Sequence, residues 1–317
     1  MGLRAKLRST QDTLLPMNTR KLWFTLALLL LMAHYPHAAQ AAPLRVGLQI
    51  GHLRSNELPE ELKALRTSTG AAAGGYREVE VNQAVAERAA SYLRGVGFAV
   101  DVLPATVPPS YRADAFVAIH ADGNADPRMR GFKAATHWRE WEAATTLLAA
   151  MRAEYGAASG LAWDEAHISS GMRGYYAMST GRYRHAVANT TPAIILEMGY
   201  LTNPQDRQLM TQQVDRLARG VAAGVQRFFA SKPASGWPAP PPLPEFRAVI
   251  IAPTANIRSG PSTNYDIVRV VEAGRMLLVE RVQGQWLKLQ SRRAGERWIH
   301  RDLVRLERIS DDPPQDS

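Results

Sequence analysis

The chain contains no cysteine, which excludes disulfides, thiol nucleophiles, thiolate metal sites and lipoprotein anchoring together. Any metal must therefore be held by histidine and carboxylate. Aromatic residues make up only 8% of the sequence. No stripe of Lys/Arg interleaved with aromatics occurs, so nucleic acid is not expected as a partner. The Gly/Ala-rich stretch 67–76 lacks the Gly-Lys-Ser/Thr ending of a phosphate loop, which argues against nucleotide binding. A membrane-spanning segment is not expected either. The apolar run Leu22 to Ala33 is well short of the roughly 20 residues that a spanning helix needs.

What is present belongs to a folded, exported protein. Apolar residues account for 46% and charged residues for 21% of the 317 positions, a globular balance. The formal charge is +9, but the first 41 residues hold five Lys/Arg and one Asp, leaving a modest +5 for the remainder. Such an excess suits an anionic polymer such as a cell wall. Arg20 and Lys21, the apolar run and the small residues Ala39-Gln40-Ala41 have the order of a cleaved signal peptide over 1–41. Counted from Met1 the basic leader is long, and Met17 is an alternative start. The expected location is the periplasm or the outside of the cell, in association with the wall, with no stable membrane insertion after cleavage.

The organising stretch is Ala193-Ile194-Ile195-Leu196-Glu197-Met198-Gly199-Tyr200-Leu201-Thr202-Asn203-Pro204. Its β-branched start has the character of a strand buried on both faces. A lone carboxylate follows, although an unpaired buried charge is costly. Functional groups collect where the strands of open α/β sheets end. Glu197 is thus the first catalytic candidate. Two further expected strands end at histidines: 44–50 runs into Gly51-His52, and Phe116-Val117-Ala118-Ile119 into His120. Glu78 opens an expected helix over 78–95, with Asn82 four residues on.

Strands are also expected at 98–103, 131–136 and, briefly, 175–179. Helices are expected at 57–66, at 138–155 and, as one long amphipathic element, from Leu209 to Phe228. Their alternation predicts an α/β domain over 42–230, with a mainly parallel sheet and helices on both faces. Residues 231–246 hold six prolines and are expected to form a semi-rigid linker. Short apolar runs from 247 to 307 predict a small all-β barrel, and 308–317 a disordered tail.

Two imidazoles and one carboxylate form a catalytic zinc set, with a second carboxylate outside it to move protons. Spacing alone makes this suggestive. Four segments then add a resemblance. Ile50-Gly51-His52, Glu78-Val79-Glu80-Val81-Asn82, Val117 to Asp122 and Ile195 to Asn203 are similar, in order, to the motifs of the zinc-dependent N-acetylmuramoyl-L-alanine amidases that cleave bacterial peptidoglycan. The resemblance implies His52, Glu78 and His120 as zinc ligands, Glu197 as general base and acid, and Asn82 as a residue orienting a ligand. It implies Zn2+ as cofactor and peptidoglycan as substrate. Glu80 competes with Glu78, but the spacing of Glu78 to Asn82 puts both on one helix face. The loop after His52 (Leu53-Arg54-Ser55) departs from the family pattern. Residues 248–306 resemble bacterial SH3-like domains through Ala255 to Ser262, Gly284-Gln285-Trp286 and Trp298-Ile299, which implies wall targeting. Trp286 and Trp298 are expected in its core.

Two other readings compete: a catalytically silent wall-binding protein, and a zinc peptidase acting on wall peptides. The segment Ser169 to Tyr175 either lines the cleft or is a plain loop. N-terminal sequencing of exported protein should begin at Ala42 or within a residue or two. An intact leader on the mature chain would contradict the signal.

Overall fold

The computed structural model describes residues 42–310. The expected signal peptide over 1–41 and residues 311–317 lie outside these residues. Strand β1 (Arg45–Ile50) is followed by two 3-10 helices, Ser55–Glu57 and Glu60–Leu65, where one short surface helix is expected from sequence. A two-residue hairpin, β2 (Ala72–Ala73) and β3 (Tyr76–Arg77), occupies the stretch expected to be plain loop. Helix α1 (Glu78–Gly95), β4 (Ala99–Leu103), β5 (Ala115–Asp122) and β6 (Lys133–Thr136) follow. After α2 (Glu142–Ser159) come β7 (Ala193–Tyr200), α3 (Pro204–Gln212) and α4 (Val214–Ala230).

The sheet has the order β4-β1-β5-β7-β6, parallel except for β6, which runs antiparallel to β7. This is the mainly parallel α/β sheet expected from sequence. Its central strand β5 is buried at every position from Ala115 to Ala121, as a strand covered on both faces must be. Helical elements cover both sides unequally. One core gathers Val81, Val85, Leu93, Leu147, Met151, Leu217, Val221 and Phe228 from α1, α2 and α4 beneath the sheet. The opposite core is closed by Leu58, Leu62, Met172 and Tyr176 from 3-10 and single-turn segments.

Two elements differ from expectation for local reasons. Residues 175–179 form a 3-10 turn (Tyr176–Met178) rather than a strand. Tyr176 and Ala177 are nonetheless buried, so their apolar character reports burial and not extension. The single C-terminal helix is two helices. The Asn203 side chain accepts from Gln205 N and Asp206 N, with Pro204 in the first turn, which starts α3 directly after β7. Gln213, at φ −122°, then breaks the chain before α4.

The C-terminal half is an antiparallel seven-stranded sheet, in the order β10-β9-β13-β12-β11-β8-β14. Its strands are β8 (Phe246–Ile250), β9 (Thr254–Arg258), β10 (Ile267–Glu272), β11 (Met276–Gln283), β12 (Trp286–Leu289), β13 (Trp298–His300) and β14 (Val304–Arg308). Trp298 is fully buried as expected, whereas Trp286 is only partly covered, its ring edge-on to His300. Arg308 closes β14, one residue into the stretch expected to be a tail. The proline-rich segment lies against the α/β half. Trp237 stacks on Phe228 at 5.5 Å, and Arg139 donates to the Pro241 and Pro242 carbonyls.

Helix α4 approaches α2 closely because Gly220 and Gly224 face it. A Cβ at Gly220 would lie 2.6 Å from Ala158 Cβ, and one at Gly224 3.0 Å from Met151 Sδ. Gly220→Ala should therefore cost about 1–3 kcal/mol through overpacking, against the usual gain of glycine-to-alanine changes within helices. Gly95→Ala, where a Cβ would meet nothing within 4 Å, should be neutral or stabilising. Urea unfolding of both variants tests this, and a stabilised Gly220→Ala would contradict the packing.

Candidate metal centre

The expected site residues arrive on four different segments, with Glu78 and Asn82 sharing α1, and the sheet brings them to one end. Gly51 N donates to Ile119 O at 3.0 Å, which ties the end of β1 to β5 beside His120. Only glycine fits here, because a Cβ at Gly51 would lie 2.4 Å from the His120 ring. His52 then takes a left-handed conformation, φ 65°, that turns the chain out of the sheet. In the pairing of β5 with β7, His120 stands opposite Glu197. The register shifts directly beyond, so that Asp122 faces Tyr200. A bulge of this kind re-aims side chains at a strand end.

Ligand atoms of His52, Glu78 and His120 all lie within 4.8 Å of one another. Glu78 Oε1 sits 3.3 Å from His52 Nε2 and 3.0 Å from His120 Nδ1. It also accepts from Ala121 N at 3.2 Å and Asn82 Nδ2 at 3.3 Å, while Oε2 accepts from Ala71 N at 2.7 Å. Asn82 is fully buried and donates to the Gly51 carbonyl too, at 3.2 Å, so it spans the two neighbouring motifs. Glu80 faces away from the cluster and pairs with Arg77 at 2.6 Å.

The donor set fits zinc. Each imidazole engages one ring nitrogen outside the cluster: His52 Nδ1 lies 2.8 Å from Ser68 O, and His120 Nε2 3.0 Å from the Tyr175 hydroxyl. With a ring N–H directed to an outer partner, the other nitrogen keeps its lone pair toward the centre, the usual arrangement for metal-binding histidines. Two imidazoles and a carboxylate are also the ligand types of catalytic zinc sites with an open fourth position.

The electrostatics separate the two glutamates. Burial disfavours a charge on Glu78, but hydrogen bonds and charge from His120 and His52 outweigh it and hold its carboxyl well below the usual range. Burial would likewise lower the His52 value, yet Glu78 and the Ser68 carbonyl raise it. Glu197 is pushed the other way. Burial lifts its carboxyl well above the ordinary value; the charges of Glu78 and Asp122 add to this, and Lys133 opposes. The residue as a whole keeps some solvent access, but its Oε2 is sealed and has no hydrogen-bond partner.

Three site-building residues escaped sequence reasoning. Gln49 is fully buried, donating to Ala105 O and accepting from the Tyr175 hydroxyl at 2.9 Å. A polar side chain between Leu48 and Ile50 in a buried strand was the available signal. Tyr175 braces His120, and burial pushes its phenol upward, so it stays protonated. Lys133 stands opposite Glu197 in the register of β6 and β7. Its ammonium is buried among Asp122 and Tyr200. The segment Ser169 to Tyr175 does line the cleft: Gly171, Gly174 and Tyr175 join His52, Ser55 and His120 around a space of about 260 Å³. His167 and His185 bond Asp164 and Glu61 and take no part.

Two imidazoles and two oppositely tuned carboxylates meet at one end of an α/β sheet, an arrangement that suits hydrolytic chemistry. Comparison with known families gives that arrangement its class. Residues 46–227 match the N-acetylmuramoyl-L-alanine amidase family and residues 253–305 the bacterial SH3 domain. The chain belongs to the N-acetylmuramoyl-L-alanine amidase family, and hydrolyses the amide between N-acetylmuramic acid and L-alanine in peptidoglycan. No curated protein matches it significantly. Among solved structures, the N-acetylmuramoyl-L-alanine amidase of Clostridium difficile 630 is 17% identical, with 61% of this chain and 100% of that one covered and a TM-score of 0.45. Ami1 of Mycobacterium smegmatis is 20% identical, with 61% and 100% covered and a TM-score of 0.45. AmiC2 of Nostoc punctiforme is 18% identical, with 59% and 97% covered and a TM-score of 0.42.

The Glu78–His52 contact has a pH consequence in protein stripped of metal by a chelator. The folded-state value of His52 is raised above 6.5, so its contribution is complete below about 6.5 and is lost as pH rises through the folded value. Glu78 stays ionised across this window. Glu78→Gln should therefore destabilise the metal-free protein more at pH 6 than at pH 9, as read by urea unfolding at both. Equal losses would remove the ion pair from the account.

Proposed function

We propose that His52, Glu78 and His120 hold one zinc ion and that Glu197 is the general base and acid of amide hydrolysis. One observation carries this reading: the unpartnered Glu197 carboxylate is aligned in register with His120, beside but outside the His-Glu-His cluster. Zinc bound by such residues supplies Lewis-acid polarisation of the scissile carbonyl and lowers the pKa of a water. Glu197 takes the proton from the attacking water and returns it to the leaving amine of L-alanine. A carboxyl raised by burial suits both halves of that transfer, since proton shuttling is most effective near the working pH. Asn82 fixes Glu78, while Gln49 and Tyr175 fix the His120 ring, so the donors need little rearrangement on binding.

The product is a peptide freed from the glycan. The bacterial SH3 domain holds the enzyme at the wall, and export to the periplasm or the cell exterior brings it there. No helix among the described residues is long and apolar enough to cross a membrane. The proline-rich segment 231–246 joins the two working parts.

The test separates binding from chemistry. His52→Ala, Glu78→Ala and His120→Ala should lose zinc and activity together. Glu197→Gln should keep zinc near wild-type occupancy while turnover on a muramoyl-peptide falls by about 10²–10⁴. Metal analysis and release of L-alanine amines are read on the same preparations. Zinc loss from Glu197→Gln would make Glu197 a ligand, and near-normal turnover would remove it from the mechanism.

A further inference from the structure

Three guanidinium groups converge where the catalytic half meets the C-terminal sheet. Arg182 comes from the loop after the Tyr176–Met178 turn, Arg275 from the turn before β11, and Arg292 from the loop after β12. With His137 they line a cleft of about 330 Å³ that no aspartate or glutamate lines. Among the described residues, none of the three arginines forms an ion pair with a carboxylate. The Nε atoms of Arg182 and Arg275 are buried without a hydrogen-bond partner. Arg247, buried at the same junction, shows the ordinary solution: it pairs with Glu307 at 2.8 Å.

The crowded cations act on one another. Burial and then Arg182 lower both Arg275 and Arg292 from their ordinary values. His137 is pushed down to about 4 by burial and by Arg292, Arg139 and Arg182. Crowded like charges of this kind favour binding of an anion. The donors are also held in place: Arg292 stacks 3.6 Å over the Trp138 ring and Arg182 4.9 Å over Tyr183. A stacked guanidinium presents its planar fork edge-on, the geometry that suits a carboxylate.

The cleft shares walls with the metal centre at two places. Gly174 lines both spaces, and the next residue, Tyr175, touches His120. Arg182 lines one space while its neighbour Tyr183 lines the other.

We propose that this cleft is a substrate subsite that binds a carboxylate on the peptide portion of the substrate, away from the scissile amide. It rests on the reading of the His-Glu-His centre as the hydrolytic site. The leaving group of that reaction is a peptide, which carries carboxylates of its own. Because Arg275 and Arg292 belong to the C-terminal sheet, that half then contributes to substrate selection as well as wall attachment.

The experiment uses the full-length zinc-loaded protein and two muramoyl-peptides, one with free carboxylates and one with every carboxylate converted to the carboxamide. The wild type should show a KM about tenfold or more lower for the acid form, the scale of a charged hydrogen bond. Arg182→Gln and Arg292→Gln should each raise that KM without lowering kcat and leave the amide form unchanged. Arg219→Gln, exposed on α4, should alter neither. Calorimetric binding of the free acid and amide peptides to metal-stripped protein reads the same preference without catalysis, so loss of the hydrolytic reading leaves this arm standing. Equal affinity of the wild type for the two peptides, or undiminished preference in both glutamine variants, would overturn the subsite. Should Arg182→Gln fail to fold, Arg292→Gln, on an exposed loop, decides the question.

Discussion

The structure depends on the pairing of two buried parallel strands, β5 and β7. Their register sets His120 against Glu197, and a one-residue slip would turn every side chain of either strand to the opposite face. Burial on both faces leaves no tolerance for such a slip. The strongest structural constraint in the α/β half is therefore also what sets the His120 imidazole beside the Glu197 carboxylate. The bulge just beyond the pair lets β5 depart toward Asp122 while β7 continues to Tyr200.

Around that pair, one kind of residue performs two tasks through environment alone. Glu78 begins a helix, where the macrodipole favours a negative charge, and it accepts hydrogen bonds from two backbone amides and Asn82. Glu197 lies within β7, sealed on one oxygen, its carboxyl raised by burial and by the charges of Glu78 and Asp122. Pushing two glutamates apart in this way separates a carboxylate held ionised from one that can trade protons. Gly51 completes the arrangement by admitting the His120 ring against the backbone.

Much of this was legible in the sequence because burial leaves a simple mark. Period-two alternation announced β1, continuous apolar runs announced β5 and β7, and the histidine or glutamate that follows each announced the site. Helix α1 was legible from the helical spacing of Val81, Val85, Ala89 and Leu93 and from Glu78 and Asn82. Other features were not, for physical reasons. Tyr176 and Ala177 are apolar through burial in a turn, which periodicity cannot distinguish from a short strand. The break at Gln213 lacks glycine or proline. Strands β9 and β14 carry polar residues on their open side. Gln49, Tyr175 and Lys133 act through contacts between distant segments, as do Arg182, Arg275 and Arg292, whose proximity exists only once the catalytic half and the C-terminal sheet are packed together.

The central claim is that a single metal ion is held by the three residues that register and helix start bring together, with Glu197 beside it and unligated. Crystals of the wild-type protein grown with zinc and measured at the zinc absorption edge test it most directly. One strong anomalous peak should appear bonded to His52, Glu78 and His120, with Glu197 outside bonding distance. A peak bonded to Glu197, or placed elsewhere with the cluster empty, would contradict the account.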